Sequence, residues 1–242
     1  MDLGINGRVA VVTGGGSGIG AAVCECLRAE GATVFDASRA TGVDVTRPEA
    51  ADAVRALAGP RVDILVNNAG TSRNTPLGEL TDADWQAQWE LHVMGPMRLM
   101  RAFAPEMAER GWGRVVNVSS SSGKRPSPSN AAYSVTKAAV LSLSRTFADA
   151  YARQGVLINA VAPGAVEGPL WLDEGGLADQ TAAAKGISRD EVLAAQRDKI
   201  PRGAMAQPAE IADVIAFLCS ERAANVIGSA WSVDGGTVSG IT

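Results

Sequence analysis

Two residues of the sequence, Tyr133 and Lys137, have the chemistry and the spacing of a proton-transfer pair. They are four residues apart in a segment of helical periodicity, so a helix would place both on one face. A free tyrosine has a pKa of about 10, too high for ready proton exchange at neutral pH. A neighbouring ammonium lowers that pKa and suits the phenol to general acid/base work. A surface tyrosine and lysine without any catalytic role would show the same spacing.

A glycine-rich stretch, TGGGSGIG at 13–20, lies between a strand pattern and a helical pattern. Gly14 suits a tight turn, Gly18 lets a phosphate approach the backbone, and Gly20 lets the helix pack near the strand. The free N–H groups of the following helix would bind an anion such as pyrophosphate. No lysine follows the glycines, which disfavours a nucleoside-triphosphatase loop. A plain turn also explains a lone glycine cluster, but its placement favours dinucleotide binding.

The 242 residues contain one histidine, His92, within WELHVMG, and three cysteines: Cys24, Cys26 and Cys219. His92 is a candidate catalytic base, metal ligand or core residue. With no CxxC pair, a transition-metal site is not expected. We interpret the cysteines as buried small hydrophobic residues in a reducing compartment.

The composition excludes several classes of function. A net charge of −4 and 5% aromatic residues disfavour nucleic-acid binding. No apolar run approaches the length of a membrane span, and the N-terminus lacks the pattern of a secretion signal. We therefore expect a cytoplasmic protein that binds neither nucleic acid nor membrane.

Apolar strand patterns alternate with helical patterns along the whole chain, which predicts an α/β fold. The predicted strands are at 8–13, 32–37, 42–45, 62–70, 113–120, 156–164 and 229–236. Buried strands separated by helices build one doubly wound, Rossmann-type parallel sheet with helices on both faces. We expect a single domain over 1–242. The segment 165–201 has only helical patterns after a strand end, which indicates a substrate lid or a purely structural flap.

Taken together, the motifs resemble those of the short-chain dehydrogenases/reductases, and most of all the 3-oxoacyl-acyl-carrier-protein reductase-like members. The resemblance covers about 8–236. The motifs occur in the family's order: TGGGSGIG (13–20), NNAG (67–70), Ser120, YSVTK (133–137), PGAV (163–166) and VDGG (233–236).

The resemblance implies an NAD(P)(H)-dependent oxidoreductase that acts on a small ketone or secondary alcohol. Ser120, 13 residues before Tyr133, would hydrogen-bond the substrate oxygen. Tyr133 would pass the proton, and Lys137 would bind the nicotinamide ribose and tune Tyr133. A bound nicotinamide would carry the hydride. The alternative from another class is a non-catalytic NAD(P)-binding regulator that keeps the fold.

The resemblance also implies a set of cofactor-binding residues. We assign direct contact to Asn67 and a turn-shaping role to Asn68. Val166 would hold the carboxamide through its backbone, and Gly168 replaces the usual threonine. The full expected set is Gly14, Gly16, Ser17, Gly18, Ile19, Gly20, Ser38, Arg39, Asp44, Val45, Asn67, Ala69, Gly70, Tyr133, Lys137, Pro163, Gly164 and Val166.

The end of the second predicted strand bears on the choice between the two nicotinamide cofactors. Ser38 falls where NAD-dependent relatives have a carboxylate, and Arg39 suits a 2′-phosphate. This favours NADP(H) over NAD(H). The alternative stays open because Asp36 would reach the ribose if the strand were shorter, and because Ser17 stands where a basic residue is frequent. The helix that usually follows this strand looks deleted.

His92, 28 residues before Ser120, falls where the family has a helix-kinking asparagine beside a backbone carbonyl that holds a relay water. Three interpretations remain. The imidazole keeps the kink and relays protons near neutral pH, or it is a hydrogen-bonded core residue while the backbone holds the water. In the third, the relay is broken and activity is lost.

The resemblance extends to the substrate side and to assembly. The predicted substrate pocket is lined by Ser122, Asn130, Glu167, Leu170 and Trp171, and the last two suit an apolar or ring-containing substrate. Arg125, Lys199 and Arg202 form no cluster that would dock an acyl carrier. A homotetramer is expected from the family, through the helices at 84–110 and 130–154 and the last strand.

Overall fold

Short runs of valine, isoleucine and alanine form the strands of one parallel sheet. The computed structural model describes residues 2–240. Its strands are β1 (Val9–Thr13), β2 (Thr33–Ala37), β3 (Ile64–Asn67), β4 (Gly113–Val118), β5 (Val156–Pro163) and β6 (Ala230–Val233). They lie in the order β2-β1-β3-β4-β5-β6. From β1 the chain adds β2 on one side and then returns to add β3 on the other side, so the strand order reverses between β1 and β3. This reversal creates the crevice where doubly wound folds bind ligands.

Ten α-helices flank the sheet or follow it. They are α1 (Gly18–Ala29), α2 (Ala50–Ala58), α3 (Asp82–Trp89), α4 (Gly95–Glu109), α5 (Ser121–Lys124), α6 (Ala131–Tyr151), α7 (Pro169–Leu172), α8 (Leu177–Lys185), α9 (Arg189–Asp198) and α10 (Pro208–Leu218), all within residues 2–240. Leu27 of α1 and Ile215 of α10 pack on one face of the sheet. Phe103 of α4 and Ala148 of α6 pack on the other. Both faces are therefore covered, as the continuous apolar strands require.

The predicted strand at 42–45 is not formed. A three-residue 3₁₀ turn, Arg39–Thr41, follows β2 directly, which confirms that the usual helix is missing. The Asp44 carboxylate accepts hydrogen bonds from the backbone N–H (3.0 Å) and hydroxyl (2.7 Å) of Thr46. These bonds bend the chain, so 42–45 cannot pair with β2, and the described chain has six strands where the pattern predicts seven.

The lid predicted at 165–201 is helical, and it is formed by α7, α8 and α9. It has a small core of its own, built from Ala178, Leu193, Ile200 and Met205. Arg197 of α9 donates to Glu167 at 3.0 Å, which fixes the lid to the segment after β5. Across the described residues, no helix combines the length and apolarity needed to cross a membrane.

Candidate active site

A cavity of about 840 Å³ runs along the carboxyl ends of the strands, from the end of β2 to the first turns of α6. It brings together most of the residues that the sequence predicts. Those that line it are Gly14, Ser17, Gly18, Ile19, Ser38, Arg39, Asp44, Val45, Ala69, Gly70, Ser120, Tyr133, Lys137, Pro163, Gly164, Val166, Leu170 and Trp171. The predicted residues outside its wall are Gly16, Gly20, Asn67, His92, Ser122, Asn130 and Glu167.

The glycine-rich turn has the geometry of an anion cradle. Gly14 (φ +63°) and Gly18 (φ +51°) both adopt the left-handed conformation that favours glycine. A Cβ on Gly20 would clash with the carbonyl oxygen of Gly14, so the helix can approach the turn only without a side chain there. Ser17 caps α1 without a side-chain hydrogen bond, which leaves the first N–H groups of α1 open toward the cavity. These features fit a pyrophosphate group.

The NNAG segment joins β3 to this turn, and its two asparagines have different surroundings. Asn67 is buried and its amide nitrogen donates to Asn117 at 2.7 Å; it does not line the cavity, because β3 ends there with both its faces covered. Asn68 lines the cavity, and its amide nitrogen donates to the carbonyl oxygens of Thr13 (3.0 Å) and Gly14 (3.1 Å). These bonds hold the glycine-rich turn, which is the role predicted for Asn68, while the cofactor contact of Asn67 stays a prediction.

Ser120, Tyr133 and Lys137 converge at the other end of the cavity. Ser120 ends the segment after β4 and caps α5, its hydroxyl accepting from the N–H of Ser122 at 3.1 Å. Lys137 Nζ lies 5.5 Å from the centroid of the Tyr133 ring and donates to the carbonyl of Val118 at 2.8 Å. The three side chains can therefore act on one substrate oxygen.

Burial shifts both titrating groups toward their neutral forms. It lowers the pKa of Lys137 from 10.5 to about 8. It raises the pKa of Tyr133, and a hydrogen bond with Ser120 offsets part of that rise. In this environment burial outweighs the lowering that the sequence predicts for the Tyr133 pKa. The phenol is therefore protonated at neutral pH and ready to act as an acid.

Sequence reasoning missed two neighbours that fix this arrangement. The hydroxyl of Ser119 donates to the carbonyl of Lys137 at 2.7 Å and ties β4 to α6, which leaves Ser120 as the serine free to act. A Cβ on Gly123 would lie 2.7 Å from the backbone carbonyl carbon of Lys137, so α5 packs on α6 only because that residue is glycine. The Ser-Ser-Ser-Ser run at 119–122 gave no signal that separates these roles, apart from the family spacing.

His92 is 1% exposed and lies in a π-helical turn, Glu90–Met94, between α3 and α4. Its Nε2 accepts from the backbone N–H of Thr71 at 3.2 Å. Its Nδ1 lies 3.0 Å from the hydroxyl of Thr136, which itself donates to the carbonyl of Tyr133 at 2.8 Å. A hydroxyl carries one proton, so Nδ1 must be the donor to Thr136, and the ring is neutral with its proton on Nδ1.

The same environment keeps the imidazole neutral. Burial, and to a lesser degree the charge of Lys137, lower the pKa of His92 well below 6.5. The ring also meets that of Tyr133 edge to face, with centroids 5.3 Å apart. With both ring nitrogens engaged, the geometry favours the hydrogen-bonded core interpretation of His92 over the proton relay. The π-helical turn distorts the helix at this position.

Two features of the adenine end bear on the cofactor. Arg39 is exposed and makes no ion pair with any residue from 2 to 240. The Ser38 hydroxyl donates to Asp36 at 3.0 Å, and the other Asp36 carboxylate oxygen is buried without a partner close to Gly15. Asp36 does not line the cavity, whereas Ser38 and Arg39 do.

The predicted substrate residues divide between different places. α7 covers the glycine-rich turn, because Pro169 lies against Gly18, so Leu170 and Trp171 wall the cavity on the side of that turn. Glu167 is occupied by Arg197 (3.0 Å) and Gln207 (2.7 Å) and acts as a lid anchor.

The two remaining substrate predictions, Ser122 and Asn130, also lie away from the wall of the main cavity. Ser122 contacts Ser120 only through its backbone. Asn130 lines a second cavity of about 240 Å³. Over the described part of the chain, no three His, Cys, Asp or Glu side chains are grouped as metal ligands would be.

Comparisons with known proteins agree over nearly the whole chain. A family model described as Enoyl-(Acyl carrier protein) reductase matches residues 14–238. The 3-oxoacyl-[acyl-carrier-protein] reductase of Vibrio cholerae is 33% identical over 97% of this chain and 98% of its own. The cis-4-hydroxycyclohexanecarboxylate dehydrogenase of Sinomonas cyclohexanicum is 35% identical over 95% and 96%. The structure of L-sorbose reductase from Gluconobacter frateurii, complexed with NADPH and L-sorbose, superposes with a TM-score of 0.89 at 36% identity and covers 100% of both chains.

Proposed function

The chain belongs to the short-chain dehydrogenase/reductase family and is an oxidoreductase, and on this premise we propose that Ser120, Tyr133 and Lys137 are its catalytic residues. The observation that carries the proposal is their convergence on one end of the main cavity, opposite the glycine-rich turn. A dinucleotide lying along the cavity would place its pyrophosphate at the open N-terminus of α1 and its nicotinamide ribose near the buried ammonium of Lys137.

A nicotinamide held in this cavity would supply or accept the hydride. Ser120 donates its hydroxyl proton in a hydrogen bond to the substrate oxygen and fixes the orientation of that oxygen. Tyr133 transfers its Oη proton to the same oxygen during reduction, and recovers it during oxidation. Lys137 is charged below its pKa of about 8 and stabilises the phenolate that forms.

The cofactor preference we infer is for NADP(H) over NAD(H). Arg39 supports it, because its guanidinium is at the cavity wall and has no carboxylate partner among residues 2–240. A guanidinium binds a 2′-phosphate in bidentate fashion. Ser38 stands where a carboxylate would accept the ribose 2′-hydroxyl, and its hydroxyl donates to Asp36, which lies away from the cavity wall.

The substrate we infer is a small ketone or secondary alcohol, not an acyl chain on a carrier protein. Docking an acidic carrier needs an exposed basic cluster near the cavity. Arg202 is paired with Glu210 at 2.7 Å, and Arg125 contacts the carbonyl of Thr237 at 3.4 Å. The Arg202 guanidinium is therefore paired with a carboxylate, which weakens its attraction for an acidic carrier.

We also infer a cytoplasmic homotetramer. Trp89 on α3 is 39% exposed and Val135 on α6 is 47% exposed, and both lie on the helices through which the family assembles. The three free cysteines support a reducing compartment. Light scattering gives the mass in solution: four chains support the tetramer, and a monomer would contradict it.

The decisive experiment is a screen of ketones and secondary alcohols with both nicotinamide cofactors, followed by the absorbance of the reduced nicotinamide. We expect turnover with at least one small carbonyl compound and a higher kcat/KM with NADPH. Tight binding of NADPH without turnover of any compound in either direction would instead identify a regulatory NAD(P)-binding protein.

A further inference from the structure

The wall of the main cavity next to Arg39 is a short irregular segment, 43–46, which we call the adenine wall. All four of its residues line the cavity. A three-residue 3₁₀ turn, Arg39–Thr41, stands where a helix usually follows β2, and the chain forms no helix or strand between that turn and α2. The adenine wall therefore depends on contacts with other elements for a defined shape.

The adenine wall buries its apolar side chains and keeps its carboxylate near Arg39. Val43 and Val45 are buried in the core beneath the cavity. Hydrogen bonds from Thr46, and to a lesser degree nearby arginine charges that include Arg39, lower the pKa of Asp44. The effect of Arg39 on Asp44 shows that the adenine wall borders the site that we infer for the 2′-phosphate.

Arg98 of α4 contacts the adenine wall from outside the cavity. Its Nη1 donates to the backbone carbonyl of Thr46 at 3.2 Å, and its Nη2 donates to Glu90 at 2.8 Å. The Arg98 side chain is 13% exposed, so water competes little for either hydrogen bond. The planar guanidinium presents several donors in a rigid arrangement, and it can therefore join the two groups in one fixed geometry.

Glu90 is itself held in place by a second hydrogen bond. Its Oε1 accepts from Gln86 at 3.0 Å, while its Oε2 accepts from Arg98. Glu90 begins the π-helical turn before α4, and the next residue of that turn, Leu91, lines the main cavity. The hydrogen bonds from Arg98 to Thr46 and Glu90 thus tie the adenine wall to an element that borders the same cavity.

Gly95 lets α4 lie directly against the adenine wall. A Cβ on Gly95 would be 3.0 Å from the backbone oxygen of Val45 and 3.3 Å from the Val45 side chain. Gly95 has an ordinary helical φ of −56°, so this contact requires the small size of glycine and not its conformational freedom. The contact at Val45 and the hydrogen bond at Thr46 hold two consecutive residues of the adenine wall.

We propose that Arg98 is a positioning residue for cofactor binding, which holds the adenine wall in place for the adenosine half of the dinucleotide. Arg98 acts through the Thr46 carbonyl and does not itself line the cavity. A wall that is fixed before binding loses less conformational entropy when a ligand binds against it. The inference rests on the proposed function, because that function places the adenosine half at this end of the cavity.

The test measures the Kd of Arg98→Met for NADPH and NADH by fluorescence titration, and for ADP-ribose by calorimetry. Adenosine is common to the three ligands, so all three Kd values should rise by the same factor, about 5- to 20-fold, through the loss of a charge-assisted hydrogen bond. For a ketone that is turned over, kcat at saturating NADPH should stay within about twofold of the parent, because the reacting groups keep their positions.

Three further variants separate the effect of the adenine wall from other effects. Arg98→Lys should recover part of the loss, because an ammonium keeps the charge but not the rigid pair of donors. Gly95→Ala displaces the adenine wall without removing a charge, and it should also raise all three Kd values. Arg101→Met is the matched control, because Arg101 lies on the same helix, is exposed and does not line the cavity.

Two results would overturn the proposal while cofactor binding by the parent stands. If Arg98→Met binds all three ligands as tightly as the parent does, the adenine wall keeps its shape without the guanidinium. If only the Kd for NADPH rises, Arg98 acts as a distant charge on the 2′-phosphate and not through the adenine wall. A parent protein that binds neither NADPH nor NADH would contradict the proposed function, and this inference would be wrong with it.

Discussion

The imidazole Nδ1 of His92 lies 3.0 Å from the hydroxyl oxygen of Thr136 and donates its proton to it. The Thr136 hydroxyl in turn donates to the backbone carbonyl of Tyr133 at 2.8 Å. The histidine thus supports the first turn of the helix that carries Tyr133, and both of its ring nitrogens are engaged in hydrogen bonds. We propose that His92 positions Tyr133 and does not exchange protons.

A positioning role predicts a specific outcome for His92→Asn and His92→Ala. We expect kcat to fall roughly tenfold to a hundredfold in His92→Ala, because a displaced phenol loses its alignment with the substrate. His92→Asn should recover part of that loss by keeping a hydrogen bond. The pH profile of kcat/KM should keep its shape in both variants. Loss of a limb near pH 6.5 in either variant would instead identify His92 as a relay.

The lowered pKa of His92 also links it to stability in acid. The unfolded chain protonates this residue below its ordinary pKa of 6.5, while the folded chain does so only at lower pH. Within that window the unfolded state binds more protons, so stability falls as pH falls, by at most about 1.4 kcal/mol per pH unit. In urea titrations between about pH 5 and 7, the unfolding free energy of His92→Asn should fall less with falling pH than that of the parent protein. An unchanged slope would mean that the folded histidine titrates normally.

The buried ammonium of Lys137 should lower the free energy of unfolding at neutral pH and at the same time raise kcat. Burial holds its pKa at about 8, below the 10.5 of the unfolded chain. Between those values the unfolded state binds more protons, so stability rises with pH across the window, and the full cost is present at pH 7. Lys137→Met should raise the unfolding free energy at pH 7 by about 1–3 kcal/mol and lower kcat by about 10²–10⁴.

The increase in unfolding free energy caused by Lys137→Met should become smaller as the pH rises from 8 toward 10. Lys185→Met is the matched control, because Lys185 is exposed at the end of α8. Destabilisation by Lys137→Met at pH 7 would show that the ammonium is well solvated or paired in the folded protein.

Local sequence patterns mark some residues of the candidate site and leave others, such as the partners of His92, unmarked. The glycine-rich turn forms and Tyr133 and Lys137 share one helix, as local patterns predict, because turn geometry and helical spacing are local properties. Ser120 was selected only through the family spacing, and the roles of all these residues stay predictions. The partners of His92 were not predicted, because Thr71 and Thr136 are 21 and 44 residues away and meet it only in the fold. No local pattern marks them.

One error has a physical cause of the same kind. The run 42–45 has strand-like residues, but the Asp44–Thr46 hydrogen bonds bend it and it pairs with no strand. The burial of Asn67 likewise depends on where β3 ends and on the partner, Asn117, that β4 supplies, which no local pattern shows.

Arg39 should determine the preference for NADPH. Arg39→Ala removes a charge-assisted contact to the 2′-phosphate, so the KM for NADPH should rise about 10- to 100-fold while the KM for NADH changes little. Arg47→Ala is the control, since Arg47 is also an exposed cation but does not line the cavity. Equal effects of Arg39→Ala on both cofactors would assign the preference elsewhere.

Gly168 offers a site where the cofactor contact can be improved. Its backbone is extended (φ −155°), and a Cβ there would meet only Gly18 Cα at 3.8 Å. Gly168→Thr should therefore fold normally and lower the KM for NADPH about two- to tenfold through one added hydrogen bond. Gly20→Ala, which introduces a clash with Gly14, should abolish cofactor binding. A higher KM in Gly168→Thr would show that the lid cannot accept a side chain there.

The proton of Tyr133 Oη is the one that the proposed mechanism transfers to the substrate oxygen. Tyr133→Phe removes that proton and leaves the ring in place against His92. The most direct measurement is kcat/KM of this variant for a turned-over ketone, made beside the Kd for NADPH by fluorescence titration. We predict a loss of at least about 10²–10⁴ in kcat/KM, with a Kd within about threefold of the parent. Turnover within tenfold of the parent would contradict the assignment of Tyr133 as the acid.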